Sequence, residues 1–225
     1  MEDKKLILAI ETSGMTTELA LMDGTRVIAS AYSGRKFAHS EVINMLFELI
    51  ISTSGVKPED IGYAAVSIGP GFFTALRVGL SFAKGLAFVH GTKLIPVVTL
   101  DALAWEISPD IGKSAVPAID AQKNEVYYAV YRPVGERWER ISPYGIASPD
   151  EIRGEGRIFV GSGAIKHDLK PRPHHDPPVP SARWIGTLAI EAISRGEFAD
   201  PGSLEPFYVR LPDAVVNRMK KEKKS

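Results

Sequence analysis

The chain contains no cysteine. That absence removes disulfides, thiolate nucleophiles and cysteine metal sites together. It also lacks an excess of charge of either sign, with 27 basic against 27 acidic residues and a formal net charge of +0. A globally basic nucleic-acid binder is therefore not indicated, and any contact with RNA has to be local. No apolar run approaches the ~20 residues that span a bilayer. Met1 to Lys5 leads straight into a candidate strand rather than into a signal peptide, so a cytoplasmic protein without membrane contact is expected. What remains is ordinary for a soluble protein: 225 residues, 44% hydrophobic and 24% charged, enough for one large domain or two small ones.

The chain is organised around Ser67 to His90. Ser67-Ile68-Gly69-Pro70-Gly71 reads as a sharp turn after a buried strand, and Phe73 to His90 as a helix. Gly91 stands where a left-handed residue closes a helix. Thr74, Arg77, Ser81 and Lys84 share one narrow polar face, and the rest is too apolar for a single buried stripe. Ala75, Gly79, Ala83 and Ala87 form a line of small side chains suited to a close contact. Upstream, Leu6 to Ile10, Glu18 to Met22 and Arg26 to Tyr32 read as strands, the last two joined by the hairpin signal Asp23-Gly24. Ser40 can cap a helix running to Ser52. Ile61 to Ile68 and Leu94 to Val98 are two further strands. Three strands in a meander, then helix, strand, helix, strand, is the order of the ribonuclease-H-like sheet of the actin and sugar-kinase superfamily.

The pattern then restarts. Thr99 to Ser108 reads as helical, and Pro109 to Lys113 as a boundary. Ala118-Ile119-Asp120-Ala121 echoes Ala9-Ile10-Glu11-Thr12, and a strand over Glu125 to Arg132 follows the second acidic turn. Val160-Gly161-Ser162-Gly163 ends a strand as Ile68-Gly69-Pro70-Gly71 does. The expectation is an α/β protein of two tandem actin-like (ASKHA) lobes: residues 1–108, a degenerate copy over 109–212, and a basic tail over 213–225. Lys170 to Pro180, with five prolines, must be an extended loop. Ser181 to Arg195 is an amphipathic helix whose inward side is Trp184, Leu188, Ala189 and Ala192. The tail carries five basic residues and one acid between Arg218 and Lys224.

Two acidic turns and a glycine turn are the parts with which an actin-like ATPase holds a nucleotide. The candidates are Glu11, Thr12 and Ser13, then Asp120, then Gly161 and Gly163, since turn amides can hold phosphate oxygens. No cofactor is demanded by this pattern, and a weakly held nucleotide is the only one it leaves room for. His167, His174 and His175 lie near Asp168 and Asp176, but none is paired at i, i+4 on a predicted helix, so they read as loop histidines rather than metal ligands. His39 either caps the first helix or lines the cleft. Gly161-Ser162-Gly163 is too short for a hydrolase nucleophile turn.

Glu11-Thr12-Ser13, His39-Ser40-Glu41, Gly69 to Gly79, Asp120 to Tyr127 and Pro206-Phe207-Tyr208-Val209-Arg210 together resemble the TsaB (YeaZ) family over nearly the whole chain. Departures are Phe72, Ala75 and Gln122, where the family usually has Ser, Gly and Arg. The resemblance implies a part in threonylcarbamoylation of adenosine 37 (t6A) in tRNAs reading codons that begin with A. It implies a non-catalytic partner of the paralogous transferase TsaD, joined by the ATPase TsaE. The two metal-binding histidines of TsaD correspond to Thr99 and Leu103, and neither side chain replaces an imidazole. Contact with tRNA is expected only through the complex. An actin-like ATPase or small-molecule kinase is the other class left open.

The two helices of the first lobe both exceed what one sheet face can cover, which predicts an exposed apolar patch. The expected interface residues are Val42, Met45, Leu46 and Leu49 on the first helix and Phe73, Leu76, Leu80 and Ala83 on the second. A four-helix contact with TsaD, or with a second copy when TsaD is absent, would bury them.

Overall fold

The computed structural model describes residues 6–109, 112–170 and 179–210. Strands β1 (Leu6–Glu11), β2 (Thr17–Asp23) and β3 (Arg26–Ser33) form the meander. Helix α1 (His39–Ser54), β4 (Ile61–Gly69), α2 (Phe73–His90) and β5 (Lys93–Val98) follow. The sheet order is β3-β2-β1-β4-β5, with β4 parallel to β1 and β5 parallel to β4. This is the expected ribonuclease-H-like sheet. Strand β1 is buried at every position, which is why its sequence is an unbroken apolar run rather than an alternation. One face packs Leu8, Ile10, Leu21 and Val66 under α1 and α2, against Val42, Leu46 and Leu80. The other packs Ile7, Ala9 and Met22 under a helix from the far end of the chain, α6 (Ala182–Arg195).

That helix crosses the expected lobe boundary. Although it falls within residues 109–212, α6 lies on the first sheet. Its inward line is Ala182, Ile185, Gly186 and Ala189 rather than the line through Trp184 and Leu188. Gly186 sets the register: a Cβ there would run into the Met22 thioether and crowd Ala9. The Glu18 carboxylate accepts the Ala182 N–H at 3.1 Å and the Ser181 hydroxyl at 3.3 Å, so a negative charge sits at the helix N-terminus.

Two smaller expectations also shift. Ser40 does not cap α1. The helix already includes His39, and Ala38 occupies the cap position without a side-chain bond. His39 is buried, with Nδ1 at 2.8 Å from Thr17 Oγ1, and burial holds its imidazole below the usual value. Helix α3 is only Thr99–Ala104, since the chain turns after it to offer the Ile107 carbonyl to the Trp138 indole N–H at 2.8 Å.

The second sheet holds β6 (Ser114–Asp120), β7 (Val126–Tyr128), β8 (Tyr131–Val134), β9 (Arg137–Arg140), β10 (Gly145–Ala147) and β11 (Arg157–Val160). Short helices α4 (Pro149–Ile152) and α5 (Ser162–Lys166) flank β11. The strand expected over Glu125 to Arg132 is split into β7 and β8. Both halves keep one register on β6, Ala118 facing Tyr128 and Ala115 facing Tyr131. In that register Pro117 faces Ala129, and proline has no N–H for the ladder. Val130 takes partners elsewhere: its N–H donates to Ser142 Oγ at 2.9 Å, and its carbonyl accepts from Ile141 N. With β11 parallel to β6 on the other side, the second sheet repeats the first through its fourth strand. Among the described residues it has no counterpart of β5, so the second copy is the degenerate one.

No helix among the described residues is long and apolar enough to cross a membrane. Most of the proline-rich loop, with His174, His175 and Asp176, and the basic tail lie outside the described residues.

Candidate functional site

Strands β1 and β6 end in carboxylates at matching places, and a cavity of about 380 Å³ opens beside them. The first lobe contributes Ser13, Gly14, Met15, Gly71, Phe72 and Phe73, and α3 contributes Thr99 and Leu103. The second lobe contributes Ile119, Asp120, Ala121, Gln122, Tyr127 and Ser162, and Val179 and Pro180 complete the wall.

Of the six residues expected to hold a nucleotide, Ser13 and Asp120 line this cavity and the other four do not. Glu11 is 1% exposed and folded onto its own turn. One of its oxygens accepts the Ser13 N–H and the Ser13 hydroxyl, each at 2.5 Å. Burial pushes the Glu11 carboxyl up to about 7, against the opposing pull of those Ser13 donors. Thr12 is fully buried beneath α2, where a Cβ on Gly79 would strike its hydroxyl. Gly161 and Gly163 serve packing: side chains there would meet the Ala118 carbonyl and the Val126 side chain. Ser162 between them does face the cavity, and its Oγ accepts the Asp120 N–H at 3.2 Å.

Asp120 is the open counterpart of Glu11. Its Oδ1 accepts the Gln122 N–H at 3.0 Å, and its Oδ2 accepts from Lys166 Nζ at 2.8 Å. The turn beyond it carries three successive non-glycine residues with positive φ: Gln122 at 61°, Lys123 at 52° and Asn124 at 58°. Such residues cost roughly 1–2 kcal/mol each, so the turn needs external support. Within the turn the Glu125 N–H donates to Gln122 O, and the outside support is Arg210, which forms an ion pair with the Glu125 carboxylate. Arg210 ends a strap that also fixes the first lobe. Phe207 N–H donates to Ile68 O at 2.8 Å, the Tyr208 ring stacks on Phe73 at 5.6 Å, and Arg77 Nε donates to the Tyr208 hydroxyl at 3.3 Å. Phe207 meets Tyr144 of the second lobe edge-on at 5.2 Å. The Pro206 to Arg210 motif therefore ties the two lobes together.

Thr99 and Leu103 are both fully buried and both line the cavity. Helix α3 is held over it by Asp101, whose carboxylate accepts the Tyr131 hydroxyl at 2.5 Å and the Tyr144 hydroxyl at 2.7 Å. Burial pushes the Asp101 carboxyl up, and the two tyrosines oppose that shift. His167 stands 3.9 Å from Asp120, and His39 is not a wall residue. Among the described residues no group of three or more metal-ligating side chains comes together.

On the helical face, the expected interface is only partly outward. Met45 is 63% exposed, Leu49 52% and Phe73 45%. Val42, Leu46, Leu76, Leu80 and Ala83 are buried in the chain's own core. The reason is that α1 and α2 cover each other as well as the sheet, with Phe47 and Phe82 edge-to-face at 5.4 Å. The small-residue line faces inward too, with Gly79 against Thr12. What faces out on α2 is Thr74, Arg77 and Ser81, with Phe88 and Val89 at the far end. Sequence reasoning held Ser162 only as part of the glycine turn and missed the walls Met15, Tyr127, Val179 and Pro180. Adjacency to the strand-end turns marks Met15 and Ser162, and no sequence signal marks Val179.

The family model described as TsaD, tRNA N6-adenosine threonylcarbamoyltransferase, matches residues 34–173. The chain is 30% identical to the Bacillus subtilis tRNA threonylcarbamoyladenosine biosynthesis protein TsaB, over 96% of this chain and 99% of that one. It is 36% identical to the Escherichia coli TsaB over 70% and 71% of the two chains. A crystal structure from Pseudomonas aeruginosa, of a protein described as similar to peptidase YeaZ, superposes with a TM-score of 0.79 at 23% identity. It covers 92% of this chain and 100% of that one, a likeness of fold.

Proposed function

The chain belongs to the TsaB family, and on that premise we propose that it serves tRNA threonylcarbamoyladenosine biosynthesis as a non-catalytic subunit that binds and activates a TsaD-type transferase. The observation that carries this reading is α3. The two positions that the resemblance assigns to the transferase's metal-binding histidines hold Thr99 and Leu103, and neither side chain replaces an imidazole ligand. The partner surface is the outward strip of α1 and α2 around Met45, Leu49 and Phe73. The same strip pairs two copies when the transferase is absent, and the ATPase TsaE and tRNA join through the assembled complex. A kinase or ATPase reading has less support, because the first-lobe carboxylate, Glu11, is buried away from the cavity.

Reconstitution with tRNA and the activated threonylcarbamoyl intermediate tests the reading. The chain alone should form no modified tRNA, and adding it to the transferase should raise product at least tenfold. Met45→Glu combined with Leu49→Glu should abolish that stimulation and the homodimer that light scattering of the wild-type chain is expected to detect, while leaving the urea midpoint near wild type. Product from the chain alone, or full stimulation by the folded double variant, would refute the reading.

A further inference from the structure

The cavity between the lobes sits where the fold would seat a nucleotide, yet its walls suit a different molecule. Among the described residues none of the walls is a lysine or an arginine, and the one charged side chain lining the cavity is Asp120, a carboxylate. The Lys166 ammonium beside it is held by Asp120 Oδ2 itself. Glu11, which would have to reach a phosphate-bound magnesium ion through water, is closed off on Ser13. A triphosphate entering here without magnesium meets a carboxylate and, among the described walls, no cation free of that carboxylate. Of the other described walls, Ser13, Thr99, Gln122 and Ser162 are polar and uncharged, and the rest are apolar or aromatic, with Phe72 from the first lobe and Tyr127 from the second. At about 380 Å³ the space falls within the range of small-molecule pockets, which combine apolar walls with a few placed polar groups. Ser13 and Ser162 supply hydroxyls, and an ionised carboxylate accepts hydrogen bonds without donating any.

We propose that this cleft binds a neutral heterocycle of nucleoside size, gripped by Phe72 and Tyr127 and by donation of its N–H groups to Asp120, and that it rejects the corresponding triphosphate. Phe72 is the distinguishing element. It occupies the cap position of α2 without a capping hydrogen bond, and its ring meets Phe37 edge-to-face at 5.2 Å beside the cavity. A small hydroxyl residue there would offer an anion a donor, whereas this ring offers a flat apolar wall.

The test is a titration of the isolated full-length chain with adenosine, guanosine, ATP and ATP–magnesium, followed by amide chemical shifts. Adenosine and ATP share a ring system and differ in charge, so the pair isolates the effect of the phosphates. At least one nucleoside should bind below millimolar concentration, with shifts centred on Ser13, Gly71, Asp120 and Ser162. ATP should bind at least tenfold more weakly. Asp120→Asn and Phe72→Ser should each weaken the nucleoside at least fivefold, and both positions are exposed enough for the variants to fold. Failure of both nucleosides to bind would overturn the proposal. So would ATP binding as tightly as adenosine, or shifts centred away from the cleft.

Discussion

Two carboxylates end the first strands of the two lobes, and the folding of the turn after each gives them opposite fates. In the first lobe the turn closes on itself. Ser13 donates twice to Glu11, Phe72 N–H donates to Ser13 O at 2.9 Å, and Gly71 lies directly on the Ser13 backbone. In the second lobe the turn is propped from outside, by Arg210 on Glu125 and Lys166 on Asp120. The first turn has become part of the core, and the second still presents its carboxylate to the cavity. Equivalent topology therefore does not conserve a site. What decides is whether the neighbouring backbone comes close enough to seal it.

That account makes Gly71 the most sensitive position. A Cβ there would fall against the Ser13 carbonyl and Cβ, so neither neighbour is a flexible side-chain end that could move aside. Gly71→Val should cost about 3 kcal/mol or more, at the upper end of overpacking effects. Gly163→Val, beside the open turn, meets the Val126 side chain first and should cost less, about 1–2 kcal/mol. Urea unfolding of both variants gives the order, and a reversed order would break the contrast between a sealed turn and an open one.

Much of this architecture was legible in the sequence, for reasons that can be named. Unbroken apolar runs marked the strands covered on both faces, β1 above all. The echo of Ala9 to Thr12 in Ala118 to Ala121 marked the second lobe. The position of α6 was not legible, because its inward line sets three small residues, Ala182, Gly186 and Ala189, beside the single strongly apolar Ile185. Facing contacts, not hydrophobicity, select those residues. The helix faces failed for a related reason. Leu46, Leu76 and Leu80 look no different in sequence from Met45 and Leu49, and only the mutual packing of α1 and α2 separates them. The inward turn of Glu11 was not legible, because composition marks an acid at a strand end without saying which way it turns.

A second, smaller effect comes from the charge on Glu11. Its carboxyl is raised by burial from an ordinary 4.5 to about 7. Between those values the folded chain holds a proton that the unfolded chain has released, so stability falls as pH rises through this window. Below the ordinary value both states are protonated and no penalty applies. Above about 7 the folded chain carries the full cost of a buried charge, on the order of 3 kcal/mol for a shift of this size. Glu11→Gln should flatten this part of the stability profile between pH 4.5 and 8 and leave the variant more stable than wild type at pH 8. A wild-type profile that already lacks this fall, or a variant that keeps it, would mean that Glu11 is not sealed.

The smallest effect belongs to the open side, and it is the sharpest check on the comparison. Lys166 Nζ lies 2.8 Å from Asp120 Oδ2, but the lysine side chain is 50% exposed and the aspartate 26%. Water screens such a pair and both side chains lose freedom in forming it, so Lys166→Met should cost no more than about 1 kcal/mol. The loss should shrink further in 1 M salt, where the screening length is about 3 Å. The fold should survive, because Asp120 keeps its Gln122 N–H and its own N–H keeps Ser162 Oγ. Denaturant titrations of wild type and variant at low and high salt measure the difference directly. A loss above about 2 kcal/mol that persists in salt would place Asp120 in surroundings as dry as those of Glu11. The two lobes would then differ in which partner seals the carboxylate, not in whether it is sealed.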